Sequence, residues 1–216
     1  MKKDEEEKEV KKEVVDEKAP SEAEVKKQGK LFRDIVIVMA ACALMFFITF
    51  MLINASKTFE YKGVKFYVDK TSAVGITLYN TKLPVIYNGT PATYNIYLRT
   101  DPRSLNDVPF KGTLLMESEM VINSTAFNCN GDDIIAVANI VKLYNNVLDI
   151  KVIKNQSIGC DPAGRYMYLN ILEGNQTRIV QTGLRCYNIY VNNCEVLKGT
   201  ERFMVETLSR ANSVLK

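Results

Sequence analysis

Cys129, Cys160, Cys186 and Cys194 are the side chains best equipped for chemistry in this sequence, followed by a few clustered carboxylates. Thiols can ligate a metal, attack a substrate or join in pairs. Zinc fits poorly, because separations of 31, 26 and 8 residues hold no Cys-x-x-Cys knuckle and the 216 residues include no histidine. That same lack removes Ser-His-Asp and Cys-His nucleophiles and any near-neutral proton shuttle. Asp132 with Asp133, Glu117 with Glu119, and Asp161 could serve as the acid and base of a glycosidase-like site if two of them met at a working separation. "NCNGDD" starts like a calcium loop at Asn128, Asn130 and Asp132, but Asp133 stands where glycine is needed and Asn139 where a bidentate glutamate is needed. Helix capping explains these residues better. With no Gly-x-Ser-x-Gly, phosphate loop or dinucleotide fingerprint either, the expectation is a non-catalytic chain without metal, cofactor or nucleic-acid partner.

Pairing is the remaining use of the thiols. An even set beyond a membrane reads as two disulfides in an oxidising space. Cys186 and Cys194 are an unsuitable couple. In one continuous strand they would stand about 26 Å apart, against a limit of about 7 Å between α-carbons. With a two-residue turn at Asn192-Asn193, Cys194 would face Val191 and Cys186 would face Gly199. Cys129 and Cys160 are therefore each expected to bond one of Cys186 and Cys194.

The fifth cysteine, Cys42, lies in "IVIVMAACALMFFITFMLI", residues 35–53, where only Thr49 interrupts the apolar run. At about 1.5 Å per residue this makes a helix of roughly 28 Å, close to the thickness of a hydrocarbon core. No polar face repeats along it, as a surface helix would require. A cleaved signal would have a short basic leader and a small-x-small site; here residues 1–34 hold ten basic and eleven acidic side chains, and Ile53 spoils the site at Asn54-Ala55. Residues 35–53 thus read as a retained transmembrane helix, and 1–34 as a charged, disordered cytoplasmic tail. Basic residues near the span, four before and three after, do not orient it. The sequons do: Asn54, Asn88, Asn123, Asn155 and Asn175, all glycosylation candidates, follow the span, as do the four paired thiols. The amino terminus is expected inside and residues 54–216 outside the cell.

Those 163 residues suffice for one domain with a core. "TFEYKGVKFYVDK" predicts a hairpin with Tyr61 opposite Val64 and Phe59 opposite Phe66. "AVGITLY", "LPVIYN" and "TYNIYLR" continue as strands, and "GTLLMESEMVIN" predicts a half-exposed strand with Leu114, Met116, Met120 and Ile122 inward. Asp101-Pro102 signals a short helical turn. "GDDIIAVANIVKLYNNV" predicts a helix whose buried stripe runs through Ile134, Val137, Ala138, Val141 and Leu143 or Tyr144. Strands follow at "LDIKVIK", "RYMYLNIL", "TRIVQTG" and "RCYNIYV", and a last helix opens at Thr200 with Phe203, Val205 or Met204, Leu208 and Ala211 inward. The class is α+β, strand-dominated, with one mid-domain helix and a C-terminal helix.

The runs "YNIYLRTDPRSLNDVPF" and "CYNIYVNNCEVLKGTERFMVE" resemble patterns in uncharacterised single-span membrane proteins of small-genome archaea. The resemblance spans most of residues 54–216 and implies an archaeal surface setting, with no activity and no site residue attached. Together these features lead to a membrane-anchored binding or scaffolding protein, held in the bilayer through residues 35–53, with a protein partner or self-association at the surface. All eleven tyrosines lie beyond the span, where amphipathic rings suit recognition. Two other readings remain: a pilin-like filament subunit, because Gly29 precedes "KLFRDIVIVMAACAL", and an external carboxylate-dependent hydrolase.

Overall fold

The computed structural model describes residues 22–70, 75–87, 89–125 and 127–214. It divides after Leu52 into two units. The first is built from helix α1, Glu22–Ser56, whose stretch Lys30–Asn54 is long and apolar enough to cross a membrane. Every side chain in that stretch is exposed. A signal sequence has the same length and composition. The helix starts inside the segment 1–34 that was expected to be disordered, and its residues 22–34 correct that expectation; residues 1–21 lie outside the described ones. Ala23, Glu24, Lys26, Lys27 and Gln28 are good helix formers, and extending an existing helix avoids the cost of nucleation.

The second unit begins with β1 (Thr58–Tyr61) and β2 (Val64–Asp69), the expected hairpin in the expected register. Lys62 and Gly63 have φ of 52° and 77°, the doubly positive turn that matches strand twist and that glycine makes accessible. The antiparallel sheet continues through β3 (Leu78–Tyr87) and β4 (Thr90–Leu98), in the order β1-β2-β3-β4. The two segments "ITLY" and "LPVIY" are thus one strand and not two. β3 keeps β4 as its neighbour throughout but pairs with β2 only from Leu78 to Asn80, so Pro84 sits where one side of the strand is open. Asp101 caps the next element, a 3₁₀ turn over Pro102–Asp107, by accepting from the Arg103 N–H at 2.9 Å.

A second sheet holds β5 (Phe110–Lys111), β6 (Glu119–Ser124), β7 (Lys151–Lys154), β8 (Met167–Glu173), β9 (Arg178–Gly183) and β10 (Cys186–Val191). Its order is β5-β9-β10-β8-β6-β7, and every pairing is parallel except β9 with β10. Helix α2 (Asp132–Lys142) carries the chain from β6 to its parallel neighbour β7, a crossing that no hairpin can make. Met120, Val121 and Ile122 of β6 are all buried, which corrects the expected half-exposed strand. On the far side Val121 clusters with its sheet neighbours Tyr168 and Cys186 and with Ile158 and Tyr166 from the loop after β7, which shields that end of the outer face.

The stripe expected on α2 is corrected at its start: Val137 and Val141 pack against the core as expected, but Ile134 does not. Ile134 is 72% exposed, whereas Ala136, Ile140, Leu143 and Tyr144 are buried, the last two in a single π-helical turn, Leu143–Val147. Helix α3, Val196–Val214, opens one turn before Thr200 and packs on β2 of the first sheet and on β9 and β10 of the second. Phe203, Met204, Val205 and Leu208 are buried together, as the central layer requires. Its polar residues are buried with partners: Thr207 shares a hydrogen bond of 2.8 Å with the Tyr144 hydroxyl, and Arg202 donates to the Val108 carbonyl. Gly199 brings the helix close to β10, since a Cβ there would stand 2.9 Å from the Ile189 Cγ2.

Candidate functional site: the outer face of the parallel sheet

Side chains alternate across a strand, so each face of the second sheet can be read from its register. Met120 and Ile122 of β6, Leu169 and Ile171 of β8, and Tyr187 and Ile189 of β10 belong to the core shared with α2 and α3. Intervening residues point the other way. Asn123 stands opposite Asn170, and Asn170 opposite Asn188, so three adjacent parallel strands set three carboxamides in one row. All three are half-buried. The Asn123 Nδ2 donates to the Tyr168 hydroxyl at 3.5 Å and the Asn188 Nδ2 to the Tyr190 hydroxyl at 3.3 Å. The Asn170 Oδ1 is buried and has no hydrogen-bond partner among the described residues. At one end the Arg178 guanidinium lies over the Tyr190 ring, 4.6 Å from its centroid. Carboxamides offer donor and acceptor together, so such a row suits neutral polar groups such as hydroxyls or peptide amides, and an unpaired acceptor in its middle is costly until filled.

Two disulfides frame this sheet. Cys129 and Cys194 lie with α-carbons 5.4 Å apart and join the loop before α2 to the turn before α3. Cys160 and Cys186, 5.7 Å apart, tie the loop after β7 to the start of β10. Each of Cys129 and Cys160 therefore meets one of Cys186 and Cys194, and Cys186 does not meet Cys194. Cys42 is exposed on α1 with a free thiol.

Of the carboxylates singled out in the sequence, all but Asp133 are held by separate bases. Asp132 reaches Arg99 at 3.2 Å, Glu117 reaches Arg185 at 3.0 Å, Glu119 reaches Lys151 at 3.4 Å and Asp161 reaches Arg165 at 2.8 Å. Side-chain and backbone hydrogen bonds from Arg165 lower the Asp161 carboxyl to about 2. Asp132 and Asp133 occupy the first turn of α2, where acids favour the helix dipole, and no metal-holding group of three or more acidic, thiol or imidazole side chains occurs among the described residues. The α2 cap itself is Gly131 with φ of 85° and no side-chain hydrogen bond, so the expected capping by "NCNGDD" is by backbone only.

Of the sequon asparagines, Asn54 ends the apolar stretch and is exposed, and Asn175 is exposed between β8 and β9. Asn155 sits in a loop, where its Oδ1 accepts from the Ser157 N–H at 2.8 Å. Asn123 belongs to the carboxamide row, and Asn88 lies outside the described residues. Of the tyrosines, Tyr144, Tyr168 and Tyr187 are buried. Asn170 and Asn188 escaped the sequence reading. Their signal is present as a polar residue among apolar ones in "MYLNIL" and "CYNIYV", but only the pairing of distant strands sets them side by side. No protein-family model, no curated protein and no solved structure matches the chain.

Proposed function

We propose that the chain is a single-pass membrane-anchored surface protein whose residues 54–216 bind or scaffold neighbouring surface molecules without catalysis, as a subunit of an envelope assembly. The observation that carries this reading is the in-register row Asn123–Asn170–Asn188, with the unpartnered Asn170 Oδ1 at its centre, on the face turned away from α2 and α3. The apolar helix supports an anchor, and the two disulfides support an oxidising outer compartment. With the amino terminus in the cytoplasm, the sequons that follow the span would face the outside.

The pilin-like alternative draws little from the structure, because α1 ends at Ser56 and β1 starts at Thr58, which leaves no helical continuation beyond the apolar stretch. A hydrolase is disfavoured by the separate ion pairs at Asp132, Glu117, Glu119 and Asp161. The test places a photo-crosslinking amino acid at Asn188 or, as the control, at exposed Ile134 on intact cells. One recurrent adduct from position 188, absent from 134 and weakened by Asn170→Leu, is expected; equal yields from both positions would remove the reading. Because Asn170→Leu deletes an unpaired buried acceptor, it should leave stability unchanged or raise it by about 1 kcal/mol.

A further inference from the structure

The two strands β2 and β3 pair only at Tyr67–Asp69 against Leu78–Asn80 and then separate, so Val64 to Phe66 and Thr81 to Pro84 face each other across a gap in the sheet. The gap opens into a slot of about 470 Å³. Its lining is mostly apolar, with Leu83, Leu148 after the π-helical turn, and Leu208 and Ala211 of α3 beside the polar Thr81 and Asn212. Lys65 and Lys82, both exposed, stand at the slot with Tyr67 between them, their Nζ atoms 5.5 and 5.2 Å from the centre of its ring. Neither lysine has a carboxylate at ion-pair distance among the described residues, whereas the nearby Glu206 is already held by Lys62 and Arg202.

Two uncompensated ammonium groups at an apolar slot define their complement: a ligand with one anionic head and one hydrocarbon chain. A volume of this order is that of a small-ligand site. A free anion would leave the apolar interior unused, and a neutral lipid would leave the lysines unpaired. We propose that this slot takes one chain of an anionic membrane lipid and that Lys65 and Lys82 hold its head. The bilayer as the source of the lipid rests on the anchored reading above; the chemistry of the slot does not.

The test uses the full-length chain in two settings. In neutral maltoside detergent, a diazirine-bearing dodecyl phosphate is photolysed and the labelled peptides are mapped. Label is expected on the peptides holding residues 64–67, 81–84 and 208–212. Competition is expected from dodecyl phosphate but not from dodecanol or inorganic phosphate. Lys65→Gln with Lys82→Gln should lower labelling by about tenfold, as should Leu83→Trp, which fills the slot from the apolar side. Retained disulfides and circular dichroism certify that the variants fold. Labelling unchanged by the lysine pair, or equal competition by dodecanol, overturns the site. In nanodiscs of phosphatidylcholine doped with a photoactivatable phosphatidylglycerol, the same peptides should be labelled; label in detergent but not in nanodiscs overturns the membrane lipid as occupant. Because the detergent arm needs no bilayer, an inverted or cleaved anchor would leave its result standing.

Discussion

Glu201 is a buried carboxyl that joins two distant parts of the chain. It is fully buried on α3, and its two oxygens accept from the Arg99 and Thr100 N–H groups at 2.7 and 2.8 Å, which ties the central helix to the end of β4. Burial raises its pKa against the lowering effect of those bonds. A carboxyl whose folded pKa is raised lends stability in acid, and that contribution fades as pH climbs through the folded value. Glu201→Gln should therefore cost about 1–3 kcal/mol, since an amide NH₂ would confront one of the two backbone donors. Its deficit in urea unfolding should be largest in acid and shrink toward neutrality. Asp161 behaves in the opposite sense: lowered from 3.8 to about 2 by Arg165, it contributes above pH 4 and loses that contribution as pH falls toward 2. Asp161→Asn should flatten the unfolding profile in that window alone. At this scale the sequence was informative where neighbours are local, as in the Phe59–Phe66 register, and silent about Glu201, whose partners lie about a hundred residues away.

Elements show why a helical period can be found and still miss part of the buried face. In α2 the expected stripe through Val137, Val141 and Leu143 or Tyr144 faces the core, but composition also draws in Ile134, which is exposed, and passes over Ala136 and Ile140, which are buried. Tertiary packing decides otherwise, because the Tyr144 hydroxyl must meet Thr207 of α3 and its ring lies 6.4 Å from that of Phe203. Ile140→Ala should thus destabilise by about 2–5 kcal/mol while Ile134→Ala stays within about 0.5 kcal/mol, both read from urea midpoints. The burial of Val121 on the outer side of β6 was equally invisible in "MVI", since it depends on the distant Tyr168 and Cys186. Gly199→Ala tests the closeness of α3 to β10; overpacking against Ile189 should cost about 1–3 kcal/mol.

For the molecule as a whole, the disulfides bind segments that the sheet order alone would leave independent. Each closes a long loop, with sequence separations of 65 and 26, and chain-entropy arguments give each about 4 kcal/mol. Replacing Cys129 and Cys194 by alanine together should lower the urea midpoint accordingly and steepen the slope of unfolding, because the freed unfolded chain exposes more surface. That Cys186 and Cys194 are not bonded to each other was legible in the sequence through strand length, and so was the apolar helix; which partner each thiol takes, the carboxamide row and the slot were not, because all arise where segments remote in sequence meet or part. Helix α3 governs the order in which the fold can be completed. Residues 196–214 supply the layer against which both sheets bury their inner sides, yet they are the last of the described elements to leave the ribosome. Neither sheet can finish shedding its water before this helix follows, so the preceding strands must wait, partly open and vulnerable to aggregation, until it arrives.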